Sequence, residues 1–167
     1  MIDPTLRESM NGLIQGKLPW PLFVYGPIGT GKTCAGLVLV DHAGGFFYTA
    51  SEWARLLNEA NNGMLFDKVD QEIRKVSPQT LWNGISKAKL VVIDELGARI
   101  DAKSEKVSEH AYESIKELID LRYGKPLVLL SNLTLPQVAK VYDERVVDRI
   151  AAGTIVNLQG KSRRTGQ

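Results

Sequence analysis

The chain has 167 residues, 44% hydrophobic and 24% charged, proportions that fit one globular domain with a real core and exclude a disordered or fibrous chain. A net charge of +2 excludes a strongly basic body, so contact with nucleic acid has to come from local patches, and the single cysteine, Cys34, excludes an internal disulfide. The two histidines, His42 and His110, give little material for a metal site. The opening MIDPTLRESMNGLIQG lacks the apolar core of a secretory leader, and no apolar run approaches about 18 residues, so no membrane contact is expected and the compartment reads as cytoplasmic.

Asp3 and Pro4 read as a cap and a first-turn proline, opening a short helix that runs to about Gln15. PLFVY (21–25) is the first strand, apolar throughout as a strand covered on both faces should be. Residues 31–43 form a helix, FFYTA (46–50) a second strand, and Ser51 caps a helix carrying Trp53, Leu56 and Leu57. Between residues 61 and 89 the pattern is helical but broken at Gly63 and Pro78, which predicts two helices.

KLVVIDE (89–95) is the third strand. A long helix then starts at Lys103 or Ser104, keeps Ala111, Ile115, Leu118, Ile119 and Leu121 on one face, and stops at Gly124-Lys125-Pro126. PLVLLSN (126–132) is the fourth strand, Pro136 opens a helix, residues 143–151 form a short one, and TIVNL (154–158) is the last strand. Five strands alternating with helices predict an α/β fold of three layers, a parallel sheet with helices on both faces. In domain terms, residues 1–17 are a short N-terminal helix, 18–160 the core and 161–167 a basic tail.

The stretch GPIGTGKT follows the first strand directly. Gly26, Gly29 and Gly31 let the backbone aim several N–H groups inward at a phosphate, with Pro27, Ile28 and Thr30 between them. Lys32 adds a charge for β- and γ-phosphates, Thr33 offers a hydroxyl to Mg²⁺, and the following helix points its positive end at the same anion. Cys34 closes the loop segment and reads as a small packed residue, not a nucleophile.

Asp94 ends an apolar strand, where it suits contact with the water of a bound Mg²⁺; adjoining Glu95 suits orientation or deprotonation of a water aimed at the γ-phosphate. The same pair also fits an ordinary acidic strand end. Asn132, after the apolar run of the fourth strand, either holds that water and senses the γ-phosphate or begins the next turn. Arg145 and Arg149 lie one helical turn apart; they serve a transferring phosphoryl group, or they form a solvated face paired with Asp143, Glu144 or Asp148.

In this order the motifs resemble the AAA+ ATPases of the bacterial helicase-loader and IstB-like transposition-helper group (the DnaC/DnaI/IstB type). GPIGTGKT is similar to their Walker A, LVVIDELG to their Walker B, RYGKPLVLLSNL to the approach to sensor 1, ERVVDRI to the arginine-finger helix, and GKSRR to a short ending after the last strand. The likeness spans residues 18 to 165. It implies ATP and Mg²⁺ as cofactors, Asn132 as sensor 1, Arg149 as a finger reaching the next subunit's ATP with Arg145 auxiliary, and hydrolysis that stays low until subunits assemble. It implies DNA as a partner, single-stranded before duplex, with a replicative helicase or a transposase, and a homo-oligomer formed with ATP.

About 20 residues precede the first strand, so the partner-binding domain that family loaders carry there is not expected; nor is a helical lid after the last strand. Arg55, Lys68, Arg74 and Lys75, with Arg99, Lys103 and Lys106, are candidate DNA-phosphate contacts or ordinary surface charges. A small P-loop kinase passing phosphate to a metabolite or nucleotide is the competing reading, against which Glu95 and Asn132 favour water as acceptor. An ATP-bound scaffold that hardly hydrolyses is a third.

Overall fold

A computed structural model describes residues 3–69, 72–98 and 107–159. Its helices are α1 (Pro4–Ile14), α2 (Lys32–Ala43), α3 (Ala50–Asn61), α4 (Pro78–Lys87), α5 (Glu109–Leu121), α6 (Leu135–Val141) and α7 (Glu144–Ala151). The strands are β1 (Leu22–Tyr25), β2 (Phe46–Thr49), β3 (Phe66–Val69), β4 (Glu72–Lys75), β5 (Val91–Asp94), β6 (Leu127–Ser131) and β7 (Thr154–Asn157). Five strands form one parallel sheet in the order β2-β5-β6-β1-β7.

Alternation along these strands sends neighbouring side chains to opposite faces, and each face has its own core. Phe23, Val91, Ile93, Leu127 and Leu129 pack on one side with Trp53 and Leu57 of α3, Ile85 of α4, Ile115 and Leu118 of α5, and Val146 and Ile150 of α7. Leu22, Val24, Val92, Val128, Leu130 and Val156 pack on the other with Ala35 of α2 and with Leu6 and Leu13 of α1. The expected three-layer α/β fold is therefore present. α1 is part of the core rather than an appendage, because its two leucines lie against the sheet.

The region after α3 differs from expectation. In place of a first helix, β3 and β4 pair as an antiparallel hairpin. Helix α3 is capped at its C-terminus by Asn62, and Gly63 at φ 67 lets Met64 N donate back to Glu59 O at 2.8 Å, which turns the chain out of the helix. Beyond that turn, FDKV and EIRK carry too few apolar residues to form a buried helical stripe. Pro78 starts α4 as expected, behind a Ser77 cap.

Two helix starts also shift. α3 is capped by Thr49 instead of Ser51, because Glu52 bonds back to Thr49 N and completes a reciprocal box. α5 begins at Glu109, not near residue 103, since Ser108 is extended at φ -61, ψ 153 and caps Ala111 N.

Arg122, at the end of α5, is 2% exposed and buries its guanidinium among backbone carbonyls. One terminal nitrogen donates to Ile85 O (3.2 Å) and Ala88 O (2.8 Å), the other to Pro126 O (2.6 Å). Burial lowers its pKa from the ordinary arginine value. This fork ties the end of α4 to the start of β6. Arg122→Met should lower unfolding free energy by about 2–4 kcal/mol, because buried carbonyls lose their donors. Arg122→Lys should recover less than half of that loss, since one ammonium cannot span these carbonyls; guanidinium denaturation checks both.

Candidate nucleotide-binding site

Strands β1, β5 and β6 end at the same edge of the sheet, and the segments leaving them meet there. The loop from β1 to α2 is drawn tight at its first residue. A Cβ on Gly26 would lie 2.2 Å from Leu158 O, so no side chain fits where the loop crosses the end of β7. At its other end Gly31 adopts φ 92 as the N-cap of α2, a left-handed conformation that glycine takes at little cost.

Lys32 is 6% exposed and folds along the loop. Its Nζ donates to Gly26 O at 2.7 Å, Pro27 O at 2.8 Å and Thr30 Oγ1 at 3.4 Å. Burial lowers the Lys32 pKa, and the nearby Asp94 carboxylate partly offsets that. Thr33 Oγ1 donates to Asp94 Oδ2 at 2.6 Å, joining loop and third core strand across the sheet edge. Asp94 is buried, and its other oxygen accepts from Glu95 N at 2.7 Å. Glu95 is exposed and left-handed at φ 56, a conformation that strains a non-glycine residue and marks the turn as constrained.

The loop, Asp94, Glu95 and Asn132 line one cleft of about 610 Å³. Its remaining wall was not legible in the motifs: Asp3 capping α1, Leu6 within it, Ala35 and Val38 from α2, and Leu158. The only sequence signal for α1 was its helix cap, which says where a helix starts and not what it faces. The cleft suits a nucleoside triphosphate with Mg²⁺. A buried lysine and a loop of backbone donors serve the phosphates, a hydroxyl–carboxylate pair serves the cation, and Leu6, Ile28, Val38 and Leu158 offer an apolar wall.

No family model matches the chain. Over 79 residues it is 34% identical to the replicative helicase loader DnaC of Escherichia coli K12, a match covering 46% of this chain and 30% of that protein. In fold it is similar to AMPPCP-bound DnaA from Aquifex aeolicus (TM-score 0.68, 20% identity, 98% of this chain and 50% of that one). The chain is thus similar to DnaC over part of its length and has the fold of DnaA. A DnaA structure carrying AMPPCP and single-stranded DNA superposes equally well (TM-score 0.68, 20% identity, 95% of this chain and 46% of that one). The chain spans about a third of the length of the curated relative it matches and about half of its structural neighbours.

Not every expected site residue reaches the cleft. Arg145 and Arg149 are exposed on α7 and are not among the cleft's walls. Arg149 pairs with Asp120 of α5, a partner outside its own helix. Cys34 is exposed and lines the cleft, so it is not the packed residue expected. Arg55 is engaged by Glu59 and Arg74 by Glu72. Arg99, Lys103, Lys106 and the GKSRR tail lie outside the described residues.

Ser131, which the motifs did not single out, holds the cleft together. Its backbone oxygen accepts from Gly26 N at 3.3 Å. Its hydroxyl, fully buried, donates to Leu96 O at 2.6 Å and accepts from Leu133 N at 3.0 Å. Ser131→Ala strips both buried groups of their partner and should cost about 1–3 kcal/mol in urea unfolding. A loss below about 0.5 kcal/mol, the level of an ordinary surface change, would show that Leu96 O and Leu133 N find other partners.

Proposed function

We propose that this chain binds ATP with Mg²⁺ and hydrolyses it as a DNA-replication factor of the helicase-loader kind, assembling through ATP at subunit interfaces in the cytoplasm. The observation that carries the proposal is the Thr33–Asp94 hydrogen bond at 2.6 Å, with Glu95 next in the chain and Lys32 behind it. Together they put a cation pocket, a phosphate lysine and an exposed carboxylate at one sheet edge. The similarity to DnaC supports loading, and the fold of DnaA, whose structure contains single-stranded DNA, supports DNA as partner.

In this reading Lys32 and the loop N–H groups bind the phosphates, while Thr33 and Asp94 hold Mg²⁺, which supplies charge neutralisation on the phosphoryl oxygens. Glu95 orients the attacking water and accepts its proton, and Asn132 fixes that water or the γ-phosphate from the neighbouring strand. Arg149 serves the ATP of an adjacent subunit with Arg145 beside it. Their position outside the chain's own cleft supports an action in trans. The ion pair with Asp120 is exposed, and such pairs yield readily to a stronger anion.

Glu95→Gln should bind ATP as the parent does and lose turnover, since the amide keeps the shape but not the base. Calorimetry and a phosphate-release assay measure the two; normal turnover would place water activation elsewhere.

Complementation separates the assembled ATPase from a kinase with its own in-chain arginine. Arg149→Ala keeps the pocket and loses the finger, whereas Glu95→Gln keeps the finger and loses the pocket. Each alone should turn over at least about 10³-fold more slowly, and mixing them with ATP at high protein concentration should restore part of the activity. Assembly seen by light scattering without any rescue would end the trans role of Arg149.

A further inference from the structure

Two polar contacts fasten α7 to α5, one near each end of an apolar seam. Near the start, the Tyr112 hydroxyl of α5 donates to Asp143 Oδ2 at 2.7 Å, while Asp143 Oδ1 accepts from Val146 N at 3.0 Å and caps α7. Near the end, Arg149 Nε donates to Asp120 Oδ1. Between them, Ile115 and Leu118 of α5 and Val146 and Ile150 of α7 lie in the same buried core. The contacts run in the same order along both helices. α5 and α7 are therefore parallel, and α5 sets the rotation and the axial position of the helix that carries Arg145 and Arg149.

The contact at Arg149 is not one its own helix supplies. Three and four residues back from Arg149 stand Val146 and Arg145, so no acid lies where a helical ion pair needs it. Nor does the stability of α5 account for Asp120, since a carboxylate in the last turn of a helix opposes the helix dipole. What the pair does is restrain Arg149. An unheld arginine samples many rotamers, and ordering it costs free energy at the moment it is used. The bond engages Nε, and among the described residues no partner holds the two terminal nitrogens. A guanidinium held at Nε still presents that terminal pair to a second anion, as planar recognition of a phosphoryl group requires.

We infer that Asp120 is a positioning residue for Arg149: it keeps the guanidinium ordered for the ATP of an adjacent subunit, on a helix that Tyr112 fixes at its start. The inference rests on the trans role proposed above for Arg149 and names what prepares it.

The test uses the full chain with ATP and assigns the defect to one side of the interface. Two subunits are mixed: a donor, Glu95→Gln, which supplies a finger and no working pocket, and a receiver, Arg149→Ala, which supplies the pocket alone. Adding Asp120→Ala to the donor should lower the phosphate release recovered on mixing about two- to fivefold, the scale of one exposed ion pair. Adding the same change to the receiver should leave the recovery as it was, because that subunit has no finger to aim. A donor carrying Asp120→Asn, which keeps an oxygen for Nε, should fall between the two.

If the unmodified donor and receiver recover activity and Asp120→Ala in the donor changes nothing, the positioning role is overturned while the trans role of Arg149 stands. Equal losses in donor and receiver would mark a structural defect and overturn it as well. A gain in the donor would show that Asp120 holds Arg149 away from its target, the opposite of positioning. If the unmodified pair recovers no activity at any protein concentration, the trans role falls and the positioning role falls with it.

Discussion

Strands β1, β5 and β6 deliver the glycine-rich loop, the acidic pair and Asn132 to the same sheet edge, but parallel strands only bring such segments near one another. What fixes them is the set of hydrogen bonds gathered at Ser131, whose carbonyl holds Gly26 while its hydroxyl holds Leu96 and Leu133. In a fully buried position these bonds cannot be exchanged for water, so the spacing between loop and acidic turn is set by the fold itself. The left-handed Glu95 follows from that constraint. The chain leaves β5 at Asp94, must return Leu96 N to Leu130 O at 2.9 Å, and has one residue in which to turn.

The two cores have different relations to the site. The larger one, between the sheet and α3 to α7, makes a platform that does not touch the cleft. The smaller one, between the sheet and α1 and α2, shares residues with it: Leu6, Ala35 and Leu158 are packed in the core and also line the cleft. Occupancy of the cleft and the seating of α1 are thus physically linked. Burial of Lys32 belongs to the same arrangement, since its ammonium is enclosed by loop carbonyls and faces Asp94 across the site.

The parts of the molecule turned away from the cleft are less tied to the cores. Arg149 reaches Asp120 across the α5–α7 surface, and the β3–β4 hairpin leaves Phe66 and Ile73 in solvent.

Most of the candidate site was written in the sequence because it depends on local rules. Glycines at fixed spacing after an apolar strand, a lysine and threonine opening a helix, and acids ending the next buried strand each carry their own stereochemical reason. The five strands were equally legible, since strands covered on both faces are nearly continuous apolar runs. The hairpin was not, because Phe66 and Ile73 are exposed and FDKV and EIRK leave no hydrophobic period to read. Nor were Ser131, Arg122 and the α1 wall of the cleft. Their partners lie 35 residues away for Ser131 and Leu96, and 34 to 37 for Arg122 with Ala88 and Ile85. A serine or an arginine in a sequence does not reveal that it will be buried. Only the packing of α4, α5 and β6 against one another removed the water and left backbone carbonyls as the available partners.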